Sequence, residues 1–357
     1  MNVLAVIYYN SVCDYSQMLS APSISLKIPR TYVAVGETGL DYDHLHNILR
    51  EAGYKNVSIA NAFRRRDVVG IMWQDAVKHK YDHRCYHVKS IIKNVIQNTE
   101  NITNKDKLYE NMTSYYPDLQ CFAKQWSSSE IRIIDPSKPL IVKPVGFGAF
   151  AGSGIRVVSN MQEFRDAIAS IHKNQRVVIC EYITNPLLLS SLEYKKFHLR
   201  MYLGIAAGAN FKWSLASFGK IITAAKPYEN SNFDNPAIHD THMKSTVRNL
   251  YYPDDLSVDW NNVHLLDKQM IEIAKCAAEL MRYTAASYPE SKYGFQIYGM
   301  DFLITDEYKV ILLEINHHCG FLDVTGNPKD KLYSEFSQKL FQWACDEFVF
   351  YLEKNAV

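Results

Sequence analysis

The sequence has almost no net charge and no long apolar run. Its 39 Lys and Arg residues balance 38 Asp and Glu residues, which leaves a charge of +1. Proteins that bind nucleic acid or anionic membranes through overall charge carry a clear basic excess, so neither partner is expected here, although a local basic groove stays compatible with these numbers. No stretch approaches the roughly 18 apolar residues of a membrane span. The apolar segment 3–9 has no basic residues before it and predicts a first strand rather than a secretion signal. The sequence therefore favours a soluble intracellular protein.

Paired cysteines and abundant glycines are also missing. The seven cysteines are an odd number without a CxxC pair, which favours free buried thiols over a disulfide framework. Only 15 glycines occur, so a cluster of them is more informative than usual. Hydrophobic residues make up 47% and charged residues 22% of the 357. This composition excludes wholesale disorder, and the length allows two or three sub-domains.

Hydrophobic periodicity predicts strands interleaved with helices, which is an α/β (α+β) fold. We expect an N-terminal α/β sub-domain over residues 1–97, a central one over 98–183 and a C-terminal one over 184–357. The aromatic and polar segment 226–262 has no period and predicts a long surface loop. Strands are predicted over 3–9, 32–35, 57–60, 139–144, 155–158, 177–182, 199–207, 213–223, 296–304 and 309–316, and helices over 41–52, 104–108, 162–172, 266–280 and 332–351.

An acidic hairpin is the first candidate site. Its strands, 299–304 and 310–316, are apolar on both faces, as in buried strands, yet they contain Asp301, Glu314 and Asn316. Glu314 and Asn316 share a face, and a two-residue turn at 307–308 would place Asp301 opposite Glu314. Mg²⁺ bound together with nucleotide phosphates would offset the paired charges. A hydrogen-bonded acidic pair at the end of a sheet is the alternative.

Two further segments carry groups suited to a nucleotide. Lys143 ends a predicted strand and precedes the glycine cluster at 146, 148, 152 and 154. The backbone N–H groups of such a loop can approach an anion closely while the lysine contacts phosphate; an ordinary flexible loop is the alternative. Glu181, Tyr182 and Ile183 end another apolar strand and could receive an adenine through backbone groups. An interdomain linker with a core tyrosine is the alternative there.

A third segment alternates cationic and apolar side chains. Lys196, His198 and Arg200 fall on one face of a predicted strand, and Phe197, Leu199 and Met201 fall on the other. A cationic face with an apolar reverse suits phosphate and ribose binding. The alternative is a solvated edge strand.

Taken in order, these segments resemble the tubulin–tyrosine ligase family, within the ATP-grasp fold. The family pattern is a Lys-Pro strand with a glycine loop, a Tyr-Ile hinge, a Lys-Phe-Asp-x-Arg strand, a His-x-Thr-Asn loop and an Asp-Phe to Leu-Glu-x-Asn hairpin. The likeness covers about residues 98–320, and NKDKLYENM and CFAKQW resemble the segment that opens the pattern. The corresponding strings here are IVKPVGFGAFAGSGIRVV, VVICEYITNPLLL, KKFHLRMYL, HDTH and GMDFLITDEYKVILLEIN.

The resemblance implies an ATP-grasp architecture, with the two later sub-domains enclosing a nucleotide cleft, and ATP-dependent ligation of a carboxylate to an amine. ATP phosphorylates the carboxylate, and an amino group then displaces the phosphate. The implied partners are ATP, a free amino acid and a protein or peptide acceptor, with tubulin as one candidate and a cytoplasmic, microtubule-associated setting to match. The implied roles are catalysis by Lys143 and Arg200, nucleotide binding by Lys143, Glu181, Tyr182, Ile183, Lys196, His198 and Thr241, and Mg²⁺ binding by Asp301, Glu314 and Asn316.

Three positions depart from the family pattern. His198 stands where the family has Asp near the ribose, and His242 replaces the Asn of the His-x-Thr-Asn loop. Ile222 aligns with an Arg on the acceptor side, and Lys220 and Lys226 are the nearest cations. The nucleotide and metal residues are therefore better supported than tubulin as acceptor. A catalytically inactive nucleotide-binding regulatory or scaffold protein is the alternative function.

Two histidine clusters lie outside the motifs of the family pattern. His83, Cys85 and His87 alternate as metal ligands do, but no second pair with suitable spacing supports zinc. The run 317–319, His-His-Cys, follows Asn316 and either lines the acceptor pocket or caps the hairpin.

Overall fold

The computed structural model describes residues 28–35, 40–66, 68–74, 88–96, 98–127, 138–145, 154–171, 176–207, 211–241, 250–254, 256, 262–285, 293–317 and 331–355. Within these ranges the chain forms two sheets flanked by helices, which confirms the mixed α/β class. The predicted strand at 3–9 lies outside the described residues. The strands are β1 Thr31–Val35, β2 Lys55–Asn56, β3 Val69–Gln74, β4 Ser90–Lys93, β5 Gln125–Ser127, β6 Leu140–Val145, β7 Arg156–Val158, β8 Arg176–Glu181, β9 Lys195–Ala207, β10 Lys212–Pro227, β11 Leu250–Tyr252, β12 Tyr293–Ile304 and β13 Val310–Asn316. The helices are α1 Leu40–Glu51, α2 Ile59–Arg65, α3 Glu100–Thr103, α4 Lys105–Tyr115, α5 Met161–Ala169, α6 Pro236–His239, α7 Val263–Ala285, α8 Lys331–Ala344 and α9 Phe350–Asn355.

The larger sheet has nine strands in the described part of the chain. Its order is β11-β10-β9-β12-β4-β3-β1-β2. The ninth strand, β13, pairs with the same side of β12 as β4 does, but farther along the strand. The strands before β5 pair in parallel, whereas β9 to β13 pair antiparallel. Strands from the first hundred residues therefore share a sheet with those that follow residue 195. The predicted sub-domain boundaries stay predictions.

β9 lies in the interior of this sheet. It pairs with β10 on one side and with β12 on the other, so the alternative of a solvated edge strand is wrong. Phe197, Leu199 and Met201 pack into the core that α7 covers, and the cationic side chains occupy the opposite face, as the alternation predicts.

Both faces of the larger sheet are covered, which explains why β12 is buried along its whole length. One face packs against α3, α4 and α7. The other packs against α1, α8 and a π-helical turn at Cys345–Val349. There the ring of Trp73 lies 5.3 Å from that of Phe295 and 5.6 Å from that of Phe341, centroid to centroid.

The smaller sheet is antiparallel, with the order β5-β8-β6-β7. Helix α5 covers one face with Phe164 and Ala167. Asn160 begins this helix: its side chain accepts a hydrogen bond from the N–H of Glu163 at 2.9 Å, and Glu163 in turn accepts from Ser159. This reciprocal cap satisfies backbone groups that the first helical turn leaves without partners.

Two predicted elements are wrong. Residues 57–60 are not a strand, because the Ser58 side chain accepts from the N–H of Asn61 and begins α2 instead. Segment 226–262 is not wholly a surface loop, since it contains α6 and β11, and Ile238, Tyr252 and Leu256 are buried.

The predicted free thiols are found where the structure describes them. Cys121, Cys180, Cys276 and Cys345 are buried and free, and burial raises the pKa of Cys121 to about 12. Such thiols are poor nucleophiles because the thiolate is the reactive form. In the described part of the chain, none of the helices combines the length and apolar character needed to span a membrane.

Candidate functional site

A cavity of about 560 Å³ lies where the smaller sheet meets the larger one. Residues of β6 and β8 form one side, and residues of β9, β12 and β13 form the other. Two further residues that the sequence predicts for the site, Arg200 and Asn316, do not line the cavity but are hydrogen-bonded to its wall residue Asp301. The other nominated side chains line the cavity itself: Lys143, Glu181, Tyr182, Ile183, Lys196, His198, Thr241, Asp301 and Glu314.

The hairpin of β12 and β13 pairs Asp301 with Glu314, which is the register that the sequence predicts. The turn that leads to this register differs from the predicted one. The turn has three residues between Thr305 and Lys309, with Tyr308 in the left-handed region at φ 60°. The register then shifts between Asp301 and Phe302, where Leu313 is the extra residue of a bulge. The bulge restores the pairing that a two-residue turn would have produced.

Asp301 is the buried centre of an ionic network. Its carboxylate, 1% exposed, accepts two hydrogen bonds from the guanidinium of Arg200, at 2.8 and 2.7 Å. The amide nitrogen of Asn316 donates to Asp301 at 3.1 Å and to Glu314 at 3.0 Å. Lys105 of α4 completes the network through a 2.6 Å ion pair with Glu314. Each carboxylate therefore has its own cation, which offsets the cost of burying two like charges.

These partners keep Glu314 ionised. Burial on its own would raise the pKa of Glu314, but Lys105 and the hydrogen bond from Asn316 outweigh it and hold that pKa well below its usual value. Burial likewise opposes the charge of Arg200, and Asp301 more than compensates and raises the pKa of the guanidinium.

Two carboxylates on a cavity wall are the kind of ligands that a magnesium ion uses when phosphate completes its coordination. Mg²⁺ is bound through one or two carboxylates plus substrate phosphates rather than by a protein cage, and the described residues contain no group of three His, Cys, Asp or Glu suited to a metal. Asp301 and Glu314 are close enough to share one amide group of Asn316. A cation would bind the oxygen of that amide, whereas the nitrogen faces both carboxylates here.

A buried chain of hydrogen bonds joins Lys196, on the cavity wall, to Tyr182 and His239. The Lys196 Nζ donates to the hydroxyl of Tyr182 at 2.8 Å and lies 4.1 Å from the centroid of that ring. The same hydroxyl lies 2.8 Å from Nδ1 of His239. Burial, together with nearby Lys143, lowers the pKa of Lys196 to about 7.

The segment 181–183 is held by the backbone. The N–H of Glu181 donates to Lys124 O and the N–H of Tyr182 donates to Pro139 O, both at 2.9 Å. Two of the three N–H groups are therefore used within the protein, and an adenine contact through an N–H group would depend on Ile183, which lines the cavity.

His198 and Thr241 are held against each other. Nδ1 of His198 lies 2.7 Å from the Thr241 hydroxyl, and Nε2 lies 3.8 Å from Asp301. The imidazole therefore occupies the position where the family pattern has an acid, next to an acid that belongs to the hairpin.

Sequence reasoning missed two residues of this site. Lys105 lies in the NKDKLYENM string, which predicts a helix and resembles the opening segment of the family pattern but gives Lys105 no role. His239 begins the HDTH string, in which Thr241 alone is given a binding role and His242 is noted as a departure. A lysine in the first turn of a helix is ordinarily solvated, so the string alone carries no signal for Lys105. The glycines at 146, 148 and 152, His242, and the clusters at 83–87 and 318–319 lie outside the described residues.

Comparison with known proteins identifies the family. A sequence model of the Tubulin-tyrosine ligase family matches residues 72–354. The chain belongs to the tubulin–tyrosine ligase family. The large mixed sheet and the helices around it are consistent with the ATP-grasp-like fold that the sequence predicts for a member of this family.

Curated relatives of this ligase family align over part of their length. The chain is 30% identical over 184 residues to a probable tubulin–tyrosine ligase PBY1 of Saccharomyces cerevisiae, covering 46% of this chain and 24% of the relative. It is 24% identical over 230 residues to a probable alpha-tubulin polyglutamylase Ttll1 of Tetrahymena thermophila, covering 58% and 54%. It is also 24% identical over 198 residues to a tubulin glycylase 3C of the same organism, covering 49% and 18%. The chain therefore spans about half or less of these relatives.

Proposed function

We propose that this chain is an ATP-dependent ligase that joins an amino acid to a carboxylate of a protein acceptor. One observation carries the proposal: residues nominated from separate stretches of sequence line a single cavity between the two sheets. The family membership supports ligase chemistry. The names of the relatives make tubulin the first acceptor to test, in the cytoplasm, where microtubules are found.

In the proposed reaction an acceptor carboxylate oxygen attacks the γ-phosphorus of ATP, and ADP leaves. The amino group of the incoming amino acid then attacks the resulting acyl phosphate, inorganic phosphate leaves with the bonding electrons, and the amine loses a proton as the amide forms. Charge neutralisation and positioning stabilise both steps, and no protein nucleophile is required.

The residues divide this work by position. Lys143 and Lys196 would neutralise the polyphosphate. Segment 181–183 would border the adenine, and His198 and Thr241 would border the ribose. Asp301, Glu314 and Asn316 would hold Mg²⁺, which neutralises phosphate charge when bound. Arg200 is hydrogen-bonded to Asp301 and does not line the cavity itself, so its proposed part is to hold the Asp301 carboxylate in place at the reaction centre.

The test combines turnover with mass measurement. Purified protein is incubated with ATP, Mg²⁺, single amino acids and tubulin or tubulin tail peptides, while ADP release and acceptor mass are followed. We expect the acceptor mass to increase by one or more amino-acid residues. The variant Glu314→Gln should produce no such increase. Glu279→Gln, which removes a partly exposed partner of Arg282 on α7, is the matched control and should retain activity.

A nucleotide-binding regulatory protein without ligase activity is the second candidate function. The buried imidazole of His198 in the acidic position of the family, and Ile222 in place of Arg, favour it. Folded protein that binds ADP but modifies no acceptor, with any amino acid, would support this candidate against the ligase.

A further inference from the structure

One carbonyl fixes the first proton in the chain of bonds that joins His239, Tyr182 and Lys196. Nε2 of His239 lies 3.0 Å from the backbone oxygen of Ser231. A carbonyl oxygen can only accept, so Nε2 carries a proton and donates it. In a neutral imidazole the other nitrogen, Nδ1, is then an acceptor.

The same reasoning gives the direction in which the Tyr182 hydroxyl donates its proton. Because Nδ1 of His239 accepts, the Tyr182 hydroxyl donates its proton there, at 2.8 Å. Its oxygen lone pairs therefore face Nζ of Lys196, which donates to them. Burial raises the pKa of Tyr182, and the Tyr228 hydroxyl, which also interacts with that of Tyr182, raises this pKa further. Since Tyr228 donates its own proton to the carbonyl of Thr184 at 3.0 Å, its oxygen competes with Nδ1 of His239 as an acceptor, and the shorter 2.8 Å contact to Nδ1 favours the histidine.

A doubly protonated His239 would not fit this arrangement. Nδ1–H would then donate to the Tyr182 oxygen, which already accepts from Lys196, so the hydroxyl proton would lose the histidine as acceptor and two cations would meet in a buried place. Burial, with a contribution from Lys196, lowers the pKa of His239, although the bond to Ser231 and the charge of Glu229 act in the opposite direction. The imidazole is therefore neutral at neutral pH.

We propose that His239 is a positioning residue for nucleoside di- and triphosphates: it orients the Tyr182 hydroxyl, which holds the ammonium of Lys196 at the cavity wall. This inference rests on the proposed function, because it assumes that the cavity binds a nucleotide. A competing explanation is that His239 only anchors the segment that contains Ser231, Phe233 and Asp234, the last two of which also line the cavity.

Two substitutions of His239 separate the roles of its nitrogens. The carbonyl of Asn can take the place of Nδ1 and accept from Tyr182, whereas the amide of Gln can take the place of Nε2 and donate to Ser231. ADP affinity is measured by calorimetry for His239→Asn, His239→Gln, Tyr182→Phe and the double variant Tyr182→Phe with His239→Gln. The exposed His264 of α7 provides the control His264→Asn.

We expect ADP to bind about tenfold more weakly to Tyr182→Phe and to His239→Gln, the size expected for a lost hydrogen bond to a charged group. The double variant should be no weaker than either single one, since both break one chain of bonds, and His239→Asn should stay close to the wild type. The reverse ranking, with Gln tolerated and Asn weak, or unchanged affinity in all variants, would overturn the inference.

The imidazole itself gives a readout that needs no nucleotide. Long-range ¹H–¹⁵N correlation spectra of the full chain should show His239 neutral with its proton on Nε2, and an Nδ1–H form would overturn the inference. If the wild-type chain shows the expected tautomer but binds neither ADP nor ATP, the proposed function fails, and the role in nucleotide binding fails with it.

Discussion

Lys196 is an amine whose charged form is poorly solvated where it lies. Its neighbours are the Tyr182 ring and hydroxyl, the like charge of Lys143, and Asp240 as the opposing acid. Removal from water disfavours the charged form of an amine, so a group that ordinarily keeps its proton to pH 10.5 titrates near pH 7. A polyphosphate beside it would reverse the balance and favour the ammonium.

Binding of ADP should therefore take up protons. At pH 8 the free protein holds Lys196 largely neutral, and the bound phosphates raise its pKa, so we expect an uptake approaching about one proton per ADP. Calorimetry in buffers of different ionisation enthalpy measures this number. Lys196→Met should abolish the uptake; uptake that persists in this variant would assign the proton to another group.

The pair of Arg200 and Asp301 should contribute to stability as well as to the site. Replacing Asp301 by Asn leaves a mostly buried guanidinium without its counter-charge, and we expect the free energy of unfolding to fall by about 3 kcal/mol. Urea denaturation measures the change. Glu279→Gln, in an exposed pair of α7, should cost less than about 1 kcal/mol, and equal costs for the two substitutions would contradict the prediction.

At the scale of elements, local patterns identified the long strands and helices well. Alternating side chains predicted β9 because one of its faces is apolar throughout, and the helical repeat of Leu266, Met270 and Ile273 predicted α7. Short elements were missed. A helix such as α2 depends on one cap at Ser58, and β11 has three residues, so neither offers enough periods to be recognised.

The contact between β9 and the π-helical turn has little space to spare. A Cβ added at Gly204 would lie 2.1 Å from the ring of Phe348. We expect Gly204→Ala to lower the free energy of unfolding by about 1–3 kcal/mol through overpacking. Phe348→Leu should cost stability alone but recover part of the loss in the Gly204→Ala background. Strict additivity in this double-mutant cycle would contradict the proposed clash.

At the scale of the whole molecule, the cavity joins two sheets that make separate cores. Lys143 and Glu181 belong to the smaller sheet, and Lys196 and Asp301 belong to the larger one. Helix α4 links the sheets with consecutive residues: Lys105 pairs with Glu314 of β13, and Asp106 pairs with Arg176 of β8. A ligand in the cavity would thus contact both sheets at once.

ADP should therefore protect both sheets from hydrogen exchange. We expect slower exchange in β6 and β9 together, while α1, on the far face of the larger sheet, stays unchanged. At an ADP concentration about 100 times Kd, linkage should also stabilise the fold by about 2.7 kcal/mol. Protection confined to one sheet would contradict a cavity that is shared between them.

The sequence by itself determined which chemistry is present: buried strands interrupted by acids, a strand with one cationic face, and the order of motifs that resembles the tubulin–tyrosine ligase family. These are local features, because side-chain alternation and spacing are set by the backbone period. Only the tertiary structure decided which charges meet. The pairs of Arg200 with Asp301 and of Lys105 with Glu314 join residues far apart in sequence, and the chain of bonds from Lys196 to His239 depends on how the sheets and α6 pack. Burying a charge without a partner costs free energy, and this cost arises only once the core has closed. It therefore decides which charged residues pair.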